Sequence, residues 1–251
     1  MLKLLARLLP VLLLVLLVPL AAHAQVPDVN INLNDDLLSS RRIFQMFIVL
    51  TVLSLAPSIL MMVTSFTRIV IVFSFLRTAM GLQNTPPNTV IISLSLFLTL
   101  FVMSPTLEEA YKSGVAPYLN EEISEEAAIK ASIKPFHTFM IRHVDQKDLG
   151  LFVNMLPDAP KTYENEADVP LRALIPAFMI SEIKRAFEIG FLIFLPFVVI
   201  DLAIASILMS MGMMMLPPVI ISLPFKIIFF VLVDGWHLLS GSLVESFNVP
   251  T

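Results

Sequence analysis

Three ionisable side chains, Asp201, Lys226 and Asp234, lie inside apolar runs long enough to cross a bilayer. An unpaired charge in hydrocarbon costs several kcal/mol, so such groups face a protein interior, a conduit or a partner. Two readings follow. Either the charges pair between helices or subunits around a conduit, or they form a static ion pair with some ends snorkelling to the interface. A proton relay is a further option, but titratable groups are few. Met213, Met214 and Met215 occupy the turn GMMMLPP between two apolar runs. Three flexible thioethers converging from several copies would make a soft seal. In a single copy they are packing or lipid-facing residues. Residues 182–188 read EIKRAFE. Glu182 and Arg185 stand at i,i+3, and Lys184 and Glu188 at i,i+4, which are neighbouring positions on a helix. The segment is either a solvated helix turn or an assembly contact ahead of a membrane span.

Enzyme chemistry finds no foothold. His23, His137, His143 and His237 show no metal-ligand spacing. There is no cysteine, which excludes disulfides, thiolate metal sites and cysteine nucleophiles. G-x-S-x-G, H-E-x-x-H and phosphate-cradling glycine loops are absent, and seven glycines in all argue against nucleotide binding. Asp201 and Asp234 sit on different apolar runs and could meet, but nothing around them resembles an intramembrane protease motif. No catalytic residue, cofactor or metal is expected. A net charge of −4 gives no reason to expect nucleic acid as a partner.

The elements that must position these residues are helices. Of 251 residues, 57% are hydrophobic and 14% charged, against about 25% charged in an ordinary soluble domain. Lipid or partner subunits must cover much of such a surface. Fourteen methionines and nineteen phenylalanines suit packing surfaces that re-form. Residues 1–24 read as a cleavable signal peptide: Lys3 and Arg7, an apolar run over 8–20, then Ala22-His23-Ala24. The alternative is an uncleaved first span. Residues 25–42 are expected to form a polar N-terminal arm in the periplasm, and 43–105 a first hydrophobic helical hairpin, its second run closing at Ser104-Pro105. Arg68 and Arg77 are the only charges between the two runs of that hairpin, which places their loop in the cytoplasm. Residues 106–175 hold twelve acids and seven bases and read as a polar periplasmic domain. Within it, Glu121, Glu122, Glu125 and Glu126 open a helix reaching Ile133. Asp145 caps a short helix whose apolar face is Leu149, Phe152, Val153 and Leu156. Residues 176–251 form a second hydrophobic hairpin, with apolar runs over 187–211 and 219–243 around the methionine turn. The fold class is therefore an all-α integral membrane protein, two long apolar helical hairpins flanking a small helical periplasmic domain.

Long stretches of the chain are similar to one family. Residues 176–191 (PAFMISEIKRAFEIGF), 194–218 (FLPFVVIDLAIASILMSMGMMMLPP) and 223–239 (LPFKIIFFVLVDGWHLL) resemble the FliP family and its injectisome relatives. So do SFTRIVIVFSFLRTAMG at 65–81 and QNTPPN at 83–88. The resemblance implies that several copies assemble with FliQ-like and FliR-like membrane subunits into a closed helical channel. That channel would be the core of the flagellar type III export gate, in the bacterial inner membrane at the flagellar basal body. Unfolded flagellar proteins would pass through it, driven by a separate ATPase and the proton motive force. The family's methionine loop corresponds to Met213, Met214 and Met215 and would seal the closed pore. Glu182 and Lys226 would lie in subunit contacts, and Asp201 and Asp234 are the remaining intramembrane charges. In the family the apolar hairpins need not cross lipid as simple spans, because neighbouring subunits can hold them. Two rivals make different demands. A proton-coupled or small-solute transporter acting alone would depend on Asp201 or Asp234. A scaffold nucleating the flagellar base would conduct nothing.

Overall fold

The structure is a computed structural model that describes residues 40–157, 168–213 and 216–247. The signal peptide, most of the N-terminal arm, Met214 and Met215 lie outside the described residues. The chain divides into two compact units, residues 1–54 and 55–251. In the first, the described part is the start of α1 (Ser40–Met62), where Phe44, Phe47, Leu50 and Leu53 are exposed. Among the described residues all regular structure is helical.

The second unit is organised around α2 (Phe66–Ala79) and α7 (Leu171–Ser210). The two run in the same direction. Thr67 meets Met179, Arg68 meets Glu182, and Phe75 packs on Phe187 and Phe194. Small residues make the approach possible, as they do between membrane helices generally. Ala173, Ala177, Ser181, Ala186 and Gly190 form the buried side of α7. A Cβ on Gly190 would fall 2.5 Å from Cδ2 of the Phe75 ring. From α2 the core receives Ile69, Val72, Phe73 and Leu76. Both helices end on a glycine with positive φ, Gly81 and Gly212. In each, the next residue donates its N–H five positions back, Leu82 to Arg77 O and Met213 to Leu208 O. These are Schellman caps, for which glycine suits the left-handed position.

The remaining elements surround this pair. α3 (Asn88–Ala110) continues through a π turn (Tyr111–Val115) into the short α4 (Ala116–Leu119). α5 (Glu125–His143) starts where the Ser124 hydroxyl accepts the Ala127 N–H, with Glu125 and Glu126 in its first turn and Arg142 and His143 in its last. These charges complement the helix dipole at both ends. α6 (Gln146–Met155) starts at Asp145, whose carboxylate accepts the Lys147 N–H at 2.9 Å, and it buries Leu149 and Val153. α8 (Pro218–Leu232) and α9 (Gly235–Glu245) close the chain.

Three features differ from the sequence expectation. The run expected to close at Ser104-Pro105 continues as helix through Pro105 to Ala110 and on to Leu119. The missing proline N–H is tolerated because packed neighbours supply the stability that the lost bond removes. The acid-rich helix starts at Glu125 rather than Glu121 and reaches His143, passing Ile133 and Pro135. The run over 219–243 is broken at Asp234, where α8 and α9 meet at 63°. Asp234 itself holds the left-handed conformation, φ 50° and ψ 51°. Aspartate tolerates that region better than most residues.

Among the described residues, two helical stretches can cross a bilayer by length and composition, Asn88–Leu119 and α7, or three if the bent α8–α9 pair counts as one span. α7 has 40 residues. At 1.5 Å per residue it is about 60 Å long, roughly twice the hydrocarbon thickness of a bilayer.

Gly190→Ala forces the Phe75 ring out of place, and we expect a loss of about 1–3 kcal/mol. Gly150 has open space around its Cβ position. There, alanine should be neutral or slightly stabilising. Thermal unfolding of the two variants in the same detergent checks the contrast.

Candidate functional site

Among the described residues, two charge clusters stand out, one fully buried and one largely so. In the first, Arg68 on α2 faces Glu182 on α7, with side chains 1% and 0% exposed. Nε donates to Oε2 at 2.9 Å and Nη2 donates to Oε1, a bidentate fork. Nη1 donates to the Ser246 hydroxyl at 3.0 Å and the Ser246 carbonyl at 3.3 Å. The guanidinium lies over the Phe247 ring, 3.8 Å from its centroid. One cation thus joins α2, α7 and the segment after α9.

In the second cluster, Lys226 on α8 donates to Asp201 Oδ2 on α7 at 2.6 Å and to the Ala79 carbonyl at 3.2 Å. Ser222 donates to the other oxygen of Asp201. Lys226 is buried, and Asp201 is about one-third exposed. This cluster ties the end of α2 to α7 and α8.

The other sequence candidates separate. Asp234 is exposed at the α8–α9 break and shares no hydrogen bond with Asp201. Met213 is half-buried, immediately after the Gly212 cap of α7; of the three methionines it alone is among the described residues. Glu182 and Lys184 take partners on other elements rather than along their own helix. Lys184 donates to Asp145 at 2.8 Å, and the Ser181 hydroxyl donates to Asp148 while accepting the Asp145 N–H. Hydrogen bonds from Lys184 and then from the Lys147 N–H hold the Asp145 carboxyl below its ordinary value of 3.8. Its contribution is therefore complete above that value and fades only as pH falls through the lowered one. Because the carboxylate is at the surface, the link is weak.

Sequence reasoning missed the partner residues. Arg68 carried a signal, since it is a lone cation in an apolar segment with no acid nearby in sequence. Ser222, Ser246 and Phe247 carried none. Among the described residues, no cluster of His, Asp or Glu is arranged to hold a metal ion. An apolar groove of about 610 Å³ opens between α7 and the bent α8–α9 pair, with Ile193, Phe197, Phe230 and Leu239 in its walls.

Charges satisfied inside and broad apolar faces outside define an integral membrane protein of the all-helical class. The FliP family model matches residues 49–243. Among similar proteins, the flagellar biosynthetic protein FliP of Caulobacter vibrioides is 57% identical over 234 residues, covering 92% of this chain and 86% of that one. The protein of the same name from Rhizobium meliloti is 57% identical over 205 residues, covering 82% and 84% of the two chains. That of Bacillus subtilis is 53% identical over 204 residues, covering 81% and 91%. The chain belongs to the FliP family. It is a structural component of the flagellar export apparatus, a membrane protein of flagellum biogenesis and protein export rather than an enzyme.

Removing one partner of a buried ion pair costs about 3–5 kcal/mol, because the other charge is left unpaired. Glu182→Ala and Arg68→Ala should each lower stability by that order. The joint change Arg68→Met with Glu182→Leu should recover much of the loss. Chemical unfolding of the detergent-solubilised variants, read as a double-mutant cycle, measures this.

Proposed function

We propose that the chain is a pore-forming core subunit of the flagellar type III protein export gate, in the inner membrane at the flagellar basal body. Several copies assemble with FliQ-like and FliR-like subunits and other gate components around an axis. Unfolded flagellar proteins pass along that axis. The polar region 106–175 is assigned to the periplasmic side, and the chain crosses the membrane more than once.

One observation carries this reading. α7 presents an exposed apolar ridge through Ile180, Ile183, Phe187, Phe191, Leu195, Val198, Leu202 and Met209. From Ile180 to Met209 it extends about 44 Å at the helical rise. The hydrocarbon core of a bilayer is about 30 Å. Lipid therefore cannot cover the whole ridge, and its first turns, interleaved with Lys184 and Glu188, require protein against them. A helix packed partly on neighbouring subunits meets that requirement.

Within this reading the buried pairs serve assembly from inside. Glu182 and Lys226 fix the register of α2, α7 and α8, and so fix which apolar faces meet a neighbouring subunit. Asp201 neutralises Lys226. Asp234, exposed at the α8–α9 break, offers a carboxylate to a partner. Met213, Met214 and Met215 follow the cap of α7 and close the pore as a ring of thioethers until substrate arrives.

Replacing Met213, Met214 and Met215 together with alanine should raise ion conductance across the membrane while the complex still forms. Planar-bilayer recording on the purified assembly, with wild type as the control, provides the check. An assembled triple variant as tight as wild type would remove the seal.

A further inference from the structure

His143 is the last residue of α5 and is 4% exposed. Both of its ring nitrogens face carbonyl oxygens. Nδ1 is 2.7 Å from Phe139 O and Nε2 is 3.1 Å from Phe247 O. A carbonyl accepts and never donates. A neutral imidazole carries one N–H and can make only one of these bonds, turning a lone pair toward the other oxygen. An imidazolium makes both. His137, on the same helix, differs: among the described residues its ring makes a single hydrogen-bond contact, from Nε2 to Val169 O at 2.8 Å.

We propose that His143 is a proton-binding site that latches the segment after α9 onto α5. The surroundings suit a cation. The ring packs beside the stacked pair Phe139 and Phe247, its centroid 4.6 Å and 5.6 Å from theirs, and aromatic rings attract positive charge. Among the described residues the charged groups around it are few. On its own helix stands Arg142; from α3, Glu109 lines the same depression. From α2, Arg68 lies over the Phe247 ring and is paired with Glu182 of α7. Ser246 and Phe247, which bring the C-terminal segment to the site, are uncharged, and Glu245 is exposed.

The sign follows from the bond count. Proton uptake completes the bond to Phe247 O without sacrificing the bond to Phe139 O. The latched form is therefore favoured at low pH and loosened as pH rises. Phe247 is also the ring beneath Arg68, so the latch holds α9 against the first charge cluster. Release would free one wall of the apolar groove, since Leu239, Ser242 and Leu243 of α9 line it. The inference rests on this geometry and not on the export-gate reading.

Amide hydrogen exchange on the full chain in lipid nanodiscs tests it. Rates are corrected for intrinsic chemistry and followed from about pH 5.5 to 8.5. Protection of residues 239–247 should fall roughly fivefold, the effect of one lost hydrogen bond, while α2 stays unchanged. His143→Gln should abolish the pH dependence. A wild-type profile that is flat, or identical to that of His143→Gln, overturns the latch. A second measurement avoids reliance on that variant. In a chain with His23, His137 and His237 changed to Gln, ¹⁵N spectra of the labelled His143 ring should show two N–H groups at low pH. A ring with one N–H throughout the range also overturns it.

Discussion

A guanidinium shut away from water must find every partner inside the protein, and Arg68 meets that constraint with Glu182, Ser246 and Phe247. The rest of the second unit follows from it. Arg68 cannot be satisfied unless α2 lies along α7 in one register, with the chain after α9 returned to the same place. Desolvating such a pair is costly, and the pair is tolerable only because its bonds are complete. The cluster around Lys226 repeats the solution at the far end of α2, where the Ala79 carbonyl supplies the last bond. Small residues on α7 let α2 approach closely enough for the first cluster to close.

Internal neutralisation has an external consequence. With Arg68, Glu182, Lys226 and much of Asp201 taken inside, the outer surfaces of α7, α8 and α9 are left largely apolar. Those surfaces suit lipid over part of their length and other helices over the rest. The bend at Asp234 adds an apolar groove to that surface.

Much of this was legible in the sequence, for identifiable reasons. Apolar runs and a shortage of charge announce membrane helices because that pattern is local. Asp145 could be read as a helix cap because capping is a short-range hydrogen bond, and the structure has it in that role. Lys226 and Asp201 stood out as charges in need of partners, and they are partners of each other. Other features depended on distant residues. Arg68 lies 114 positions before Glu182, and Ser246 lies 178 positions after Arg68. No spacing rule links positions so far apart. Pro105 was read as a stop because proline breaks isolated helices, yet tertiary packing carries α3 through it. The run over 219–243 is apolar apart from Lys226 and Asp234, and the Asp234-Gly235 pair that marks the break had been read only for its charge.

The central claim is that a chain with its charges paired inside presents apolar faces for other subunits. The native mass of the tagged, detergent-extracted protein tests this most directly. It is measured for the chain alone and then for the chain produced with FliQ-like and FliR-like partners. The account predicts a discrete homo-oligomer that gains mass when the partners are present. A monodisperse monomer or dimer that ignores both partners would contradict it.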